Sequence, residues 1–282
     1  MKLHEYQKTI INENKKYTGL FLGCGTGKTL IALLMARGRT LVVCPLQQKL
    51  DRTWEKNRDK FNIPLDLTVM SKETFRRDHK ELSQFDTVIL DESHTMMGLY
   101  PDMRTIKGVR VPKSSQLFDA VRWFMKHNPP NRFYALSATP ASKPMNAFAI
   151  GVLLGRVTMD SYYKFREIFY IERKIGYRSL WLPRRDTATK DRLIAFIKSM
   201  GYTGALSDFE EDFTIPEQTF VTKYFPLTSE QKTAIKSLDE ADPMVRRTKQ
   251  RSIENGILYG VNVIKNKDGS EKMTRGDRKS VG

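Results

Sequence analysis

Three glycines crowd the stretch FLGCGTGKTL, at Gly23, Gly25 and Gly27, and Lys28 and Thr29 follow at once. Residues without side chains let backbone N–H groups turn inward around an anion, and the positive end of a following helix adds to the attraction. That is phosphate chemistry. Lys28 can reach the β and γ phosphates of a nucleotide and the Thr29 hydroxyl can ligate Mg²⁺, as in GxxxxGK[ST] loops, although Leu22 stands here at the first glycine position. A second polar pair closes the apolar run VIL, in VILDESH: Asp91 can hold Mg²⁺ through water, and Glu92 can orient and deprotonate an attacking water. The two clusters together predict hydrolysis of ATP with Mg²⁺, provided that Lys28 and the paired acids meet across neighbouring strand tips.

The elements that must position these groups can be read in order. Residues 17–22 suit a short strand, the glycines turn the chain, and 29–37 suit an apolar helix ended by Gly38. Residues 40–45 form a continuous apolar run, as in a strand covered on both faces. Leu50 and Trp54 among charges predict one amphipathic helix over 46–60. Strands follow at 65–70, 85–90 and 132–136, the last running into Ser137, Ala138 and Thr139. Strands alternating with helical stretches imply a mainly parallel sheet with helices on both faces, an α/β fold whose ligands bind at the carboxyl ends of the strands. Beyond Pro140 the pattern becomes helix-rich, including 160–181, where the aromatics Tyr162, Tyr163, Phe165, Phe169, Tyr170, Tyr177 and Trp181 suit a helix core face more than a base-stacking row. An acidic patch at 207–213 and a strand-like stretch at 219–225 come next. Thr228 and Gln231 then have the spacing of a capping box, and the last forty residues are polar and turn-rich.

Composition narrows the partners. Lys and Arg number 48 against 32 Asp and Glu, a net charge of +16 in 282 residues, which favours a polyanion such as nucleic acid. The two cysteines, Cys24 and Cys44, give no disulfide framework, and the four histidines are scattered without metal-ligand spacing. The first residues lack the apolar core of a signal peptide, and no apolar stretch approaches the ~20 residues of a membrane span. A cytoplasmic protein with no membrane partner is expected, in the host cytoplasm if the chain is viral.

With these residues in place, the chain resembles the superfamily 2 helicases and DNA translocases. LHEYQ (3–7) is similar to the adenine-reading Q-motif; GCGTGKT, which spans Gly23 and Thr26, matches motif I. VVCPLQQKLDRTW resembles motif Ia, DESH (91–94) a DEAH-type motif II, and SATP (137–140) motif III. The tryptophan after Pro45, TVMSKETFRRD (68–78) and LTSEQ are similar to the chromatin-remodeller-like branch and its phage relatives. The resemblance implies a RecA-like P-loop NTPase domain. It implies adenine contact from Gln7 and nucleotide binding by Gly23, Gly25, Thr26, Gly27, Lys28 and Thr29. Mg²⁺ would be held by Thr29 and Asp91, with Glu92 as catalytic base. It implies coupling of the γ-phosphate state to a DNA track by His94, Ser137 and Thr139, and strand contacts near Pro45, Ser71 and Lys72, with DNA preferred to RNA.

The expected organisation is a RecA-like ATP-binding lobe over 1–150, a helix-rich extension with the last strand of that lobe over 151–240, and a linker or the start of a second lobe over 241–282. No QxxGRxxR-like pattern follows Thr139. A motor of this family needs a second RecA-like lobe, in cis or in trans, whose arginine is typically worth ~10³–10⁵ in rate, so this chain alone is expected to hydrolyse ATP slowly. Two other readings share the P-loop and the acid pair: a viral DNA-packaging ATPase, and a single-lobe nucleic-acid-binding regulatory protein.

Overall fold

The computed structural model describes residues 3–140, 143–176, 178–205, 207–209, 226–236 and 247, and the backbone of 257–265 and 271–280. Two compact units divide the chain, residues 1–216 and 217–282. In the first, chain order is α1 (Glu5–Glu13), β1 (Tyr17–Leu22), α2 (Lys28–Met35), β2 (Arg39–Cys44), α3 (Leu46–Leu50), α4 (Thr53–Lys60), β3 (Asp66–Ser71), α5 (Lys72–Asp78) and β4 (Thr87–Leu90). Then come β5 (Leu99–Ile106), β6 (Val109–Ser114), α6 (Gln116–His127), β7 (Arg132–Leu136), α7 (Pro144–Leu153), α8 (Tyr162–Phe169), β8 (Tyr170–Ile175), β9 (Arg178–Pro183), α9 (Thr187–Met200) and β10 (Gly201–Gly204).

Six strands form one sheet in the order β10-β1-β7-β4-β2-β3, and every neighbouring pair is parallel. Alternation along the strands divides the core in two. Phe21, Leu41, Val43, Val88, Leu90, Phe133 and Ala135 point to one face, where α5 to α9 supply Phe75, Phe118, Phe124, Phe148 and Met200. Leu20, Leu22, Val42, Cys44, Ile89, Tyr134 and Leu136 point to the other, against Ile10 of α1, Ile31 and Leu33 of α2 and Trp54 of α4. Burying each such large side chain contributes roughly 1.5–3 kcal/mol, which is what pins the register. The α/β fold class, a parallel sheet with helices on both faces, is the one expected from the sequence.

Two local expectations are corrected, and one element was not expected. The helix over 46–60 is two helices, broken at Arg52, whose φ is 53°. The break turns α4 so that Trp54 is fully buried while Leu50 stays 66% exposed, so the two residues do not share a face. The segment 160–181 is helical only to Phe169; Tyr162, Phe165, Phe169 and Tyr170 lie in the core, but Tyr163 is 47% exposed, Tyr177 lies outside the described residues, and the chain folds back after the helix as the antiparallel hairpin β8–β9 around Gly176 at φ 57°. A second antiparallel hairpin, β5–β6, is inserted after β4 and has no counterpart in the sequence reading.

In the second unit, α10 (Ser229–Lys236) opens on the expected capping box: Thr228 N donates to Gln231 Oε1 at 2.9 Å and Gln231 N to Thr228 Oγ1 at 3.2 Å. Strands β11 (Ile257–Lys265) and β12 (Glu271–Ser280) pair antiparallel. The strand-like stretch 219–225 and most of the acidic patch lie outside the described residues. Among the described residues no helix is long and apolar enough to cross a membrane.

The edge strand β10 is held by a close approach. A Cβ at Gly201 would lie 2.0 Å from the carbonyl oxygen of Gly19 in β1, a contact that only backbone movement could relieve. Gly201→Ala should therefore cost about 1–3 kcal/mol in urea unfolding through overpacking; an unchanged midpoint would show that β10 adds little to the sheet.

Candidate functional site

Parallel pairing brings every strand's carboxyl end to one edge of the sheet, and the polar clusters follow those ends. The glycine loop follows β1. Its first amide is tied to the edge strand, Gly23 N donating to Gly204 O at 2.7 Å. Gly25 and Gly27 then take φ 81° and 79°, conformations that disfavour any side chain, and α2 begins at Lys28. Inside the loop the Gly23 carbonyl accepts from Lys28 Nζ at 2.8 Å and from Thr26 Oγ1 at 2.8 Å. Thr29 lies one position on, half-buried in the first turn of α2.

The loop is braced from outside by α1. Gln7 Nε2 donates to Thr26 O at 3.1 Å and to the Tyr6 hydroxyl at 3.3 Å, and Tyr6 OH itself donates to Thr26 O at 2.6 Å. Gln7 Oε1 accepts from His4 N at 3.1 Å, which caps α1. Gln7 is 5% exposed, and a Cβ on Gly27 would come within 2.7 Å of its amide nitrogen. Both donors of Gln7 are thus engaged with the glycine loop and with Tyr6.

Asp91 emerges from β4, its N–H still bonded to Val43 O of β2 at 2.8 Å. The carboxylate is buried, and its Oδ1 accepts from Glu92 N at 2.9 Å. Burial pushes the Asp91 pKa up and the neighbouring Glu92 charge pushes the same way; the Glu92 amide and the Gln48 and Trp54 side chains hold it down. Trp54 Nε1 also donates to Gln48 Oε1 at 3.2 Å. Glu92 is a non-glycine residue at φ 49°, ψ 48°, a left-handed conformation that costs on the order of 1–3 kcal/mol and recurs where a side chain must be aimed. Behind Asp91, burial lifts the Cys44 thiol to about 12, which keeps it protonated and inert.

Four of the sequence candidates come together in one polar chain. Glu92 Oε2 lies 3.4 Å from His94 Nδ1, His94 Nδ1 lies 2.8 Å from Ser137 Oγ, and Thr139 N donates to Ser137 Oγ at 3.0 Å. Asn146 Nδ2 of α7 donates to the His94 carbonyl at 3.2 Å. One expectation is corrected: β1 and β4 are not neighbours, because β7 lies between them. The glycine loop and the acid pair are therefore separated by two strand spacings, roughly 10 Å at 4.8 Å each, and Ser137 stands at the strand tip between.

The three strand-track candidates are placed differently. Pro45 precedes α3 at the end of β2. Ser71 is 2% exposed, and its hydroxyl accepts from Thr74 N at 3.2 Å as the cap of α5. Lys72 Nζ donates to Thr95 Oγ1 at 2.8 Å, and Thr95 Oγ1 donates to Glu92 O at 2.7 Å, so Lys72 reaches the acid loop. The sequence reading missed Tyr6, Gln48 and Asn146 altogether. Tyr6 had a signal, its place beside Gln7 on a helix start; Gln48 and Asn146 had none short of the folded chain.

No family model matches the chain, and no curated protein matches it. Among solved structures the helicase domain of Hef from Pyrococcus furiosus is similar at 19% identity and a TM-score of 0.42, covering 54% of this chain and 36% of that one. The chain thus spans about a third of that structure, a likeness too slight to carry any inference about activity.

The raised Asp91 pKa has a measurable sign. Above its ordinary value of 3.8 the folded protein disfavours the ionised form, so the stability present at acid pH is lost as pH rises through the folded value. Asp91→Asn should stabilise the ligand-free protein at neutral pH, with the gain narrowing toward acid pH. Urea titrations at the two conditions check this, and a lower midpoint for the variant at neutral pH would contradict it.

Proposed function

We propose that the chain is the ATP-binding and ATP-hydrolysing N-terminal lobe of a superfamily 2 DNA helicase or translocase, of the DEAH-type, chromatin-remodeller-like branch with phage relatives. The observation that carries the reading is the placement of β7. Its Ser137 stands at the strand tip between the glycine loop and the acid pair, its N–H on Leu20 O of β1 and its hydroxyl on His94 of the acid segment, where it would sense a change at either flank.

The donor set fits a magnesium nucleotide: the Lys28 ammonium, the loop amides at positive-φ glycines, the Thr29 hydroxyl and the Asp91 carboxylate are hard, complementary groups. Mg²⁺–ATP would supply a γ-phosphoryl group whose charge the metal shares. Lys28 would exchange the neutral Gly23 carbonyl for phosphate oxygens, a stronger charge-assisted contact. A cation near Asp91 would reverse the cost of burying its charge. Glu92, aimed by its left-handed backbone, would take the proton of the attacking water, and His94 Nδ1, which faces both, would bridge that carboxylate and the Ser137 hydroxyl. Ser137 and Thr139 would carry the change toward the DNA track. A second RecA-like lobe, in cis or in trans, would complete the cleft, and the charge balance of +16 supports DNA as the polyanion.

Three variants separate binding, chemistry and coupling. Lys28→Ala should abolish Mg²⁺–ATP binding read with a fluorescent analogue. Glu92→Gln should keep that binding and lower phosphate release by roughly 10²–10⁴. His94→Ala should keep binding and lose most of the stimulation by DNA. The decisive measurement is DNA-stimulated phosphate release with and without an added second lobe; the absence of stimulation in both would refute the reading.

A further inference from the structure

The two hairpins and α8 line a half-open cavity of about 590 Å³ within residues 1–216, away from the glycine loop. Its base is rigid: Tyr162 OH donates to Tyr100 O at 2.7 Å and Arg166 Nη1 to Pro101 O at 3.1 Å, fastening α8 to β5. Its walls are aromatic. The Arg166 guanidinium lies 3.9 Å from the Trp181 ring centroid and 5.4 Å from that of Tyr163, and Tyr163 is 47% exposed. The aromatic row of 160–181 is thereby divided: Tyr162, Phe165 and Phe169 fill the core, while Tyr163 and Trp181 line the opening.

The charges around the cavity are not matched to one another. Asp102, Glu167 and Glu172 face it together with Arg110 and Arg166, and among the described residues none of these five takes part in an ion pair. Arg166 Nε is buried with no hydrogen-bond partner. With Arg166 already lying over Trp181 and Tyr163, a fitting ligand must present a flat face to the guanidinium plane or to the outer face of a ring, donors to the carboxylates and acceptors to the guanidiniums. With three acids against two arginines, the cavity does not favour a phosphate inside it. A nucleobase meets all three demands, and cytosine and adenine add an exocyclic amine that a carboxylate accepts. The volume lies within the ~300–1,000 Å³ usual for ligand sites.

We infer that this cavity holds an unpaired, amino-bearing base of a single DNA strand, an inference that rests on the nucleic-acid half of the function proposed above. The test uses the full 282-residue chain without nucleotide, and anisotropy of labelled oligo-dC, oligo-dT and an abasic strand of equal length. Oligo-dC should bind about tenfold more tightly than the abasic strand, the scale of one stacked base. Glu172→Gln, an exposed change, should erase the preference for dC over dT while keeping that for base over abasic. Tyr163→Ala and Trp181→Leu should erase the latter. Equal binding of oligo-dC and the abasic strand by the wild-type chain overturns the inference, as does undiminished base dependence in all three variants. Competition by free dCMP as effective as by oligo-dC assigns the cavity to a free nucleotide and overturns the strand as its source. Mg²⁺–ATP binding is a separate reading, so its failure would sink the nucleotide half of the proposed function and leave this outcome intact.

Discussion

The candidate site depends on strand β7 lying between β1 and β4 in an all-parallel sheet. Parallel ladders send every strand's carboxyl end the same way, so the loops after β1, β4 and β7 share one edge without any loop having to reach for it. The ladder continues past the strand ends: Asp91 N bonds Val43 O and Ser137 N bonds Leu20 O at 3.2 Å, so the first residue of each loop keeps strand geometry. That extension aims Asp91 and Ser137 before any side chain contributes. The side chains then tie the tips together, with His94 and Ser137 closing the gap between β4 and β7 at 2.8 Å. Moving β7 to an edge would leave the glycine loop beside the acid segment and remove Ser137, which is bonded to Leu20 O of β1 and to His94.

How much was legible in the residues follows from how each element is stabilised. Strands β1 and β7 fall on the stretches 17–22 and 132–136 named from sequence, because a strand buried on both faces must be apolar throughout and its limits are marked by polar residues. The glycine loop was legible for a related reason: φ near 80° at Gly25 and Gly27 leaves few residue types to choose from. The hairpins were not. Strand β5, LYPDMRTI, mixes proline, charge and exposed apolar residues because only part of one face packs on anything, so no alternation is written into it. In 160–181 the helical spacing of Tyr162, Phe165 and Phe169 runs directly into the hairpin, with no glycine or proline before Gly176 to mark the change. The surroundings of Asp91 were hidden differently. Gln48 and Trp54 approach it only because Arg52 breaks the helix between them, a tertiary event without a local sign.

The bracing of the glycine loop would constrain any part that α1 took in the nucleotide recognition proposed for it. Gln7 spends both amide protons, one on Thr26 O and one on Tyr6 OH, and Tyr6 spends its own on Thr26 O. One lone pair of Gln7 Oε1 serves His4 N, leaving one acceptor position. A base that offers an amino group can therefore be met by Gln7 with the loop unchanged. A base that requires a donor from Gln7 would have to divert one of its N–H groups from Thr26 O or from the Tyr6 hydroxyl, loosening the loop proposed to hold the phosphates. Buried amide contacts of this kind are each worth about 0.5–1.5 kcal/mol net, so a single exchange would bias the loop without unfolding it. If the loop holds a nucleotide as proposed, discrimination among bases and the shape of the phosphate grip would be linked through one side chain, and Gly27, with no Cβ to hold Gln7 away, allows that link.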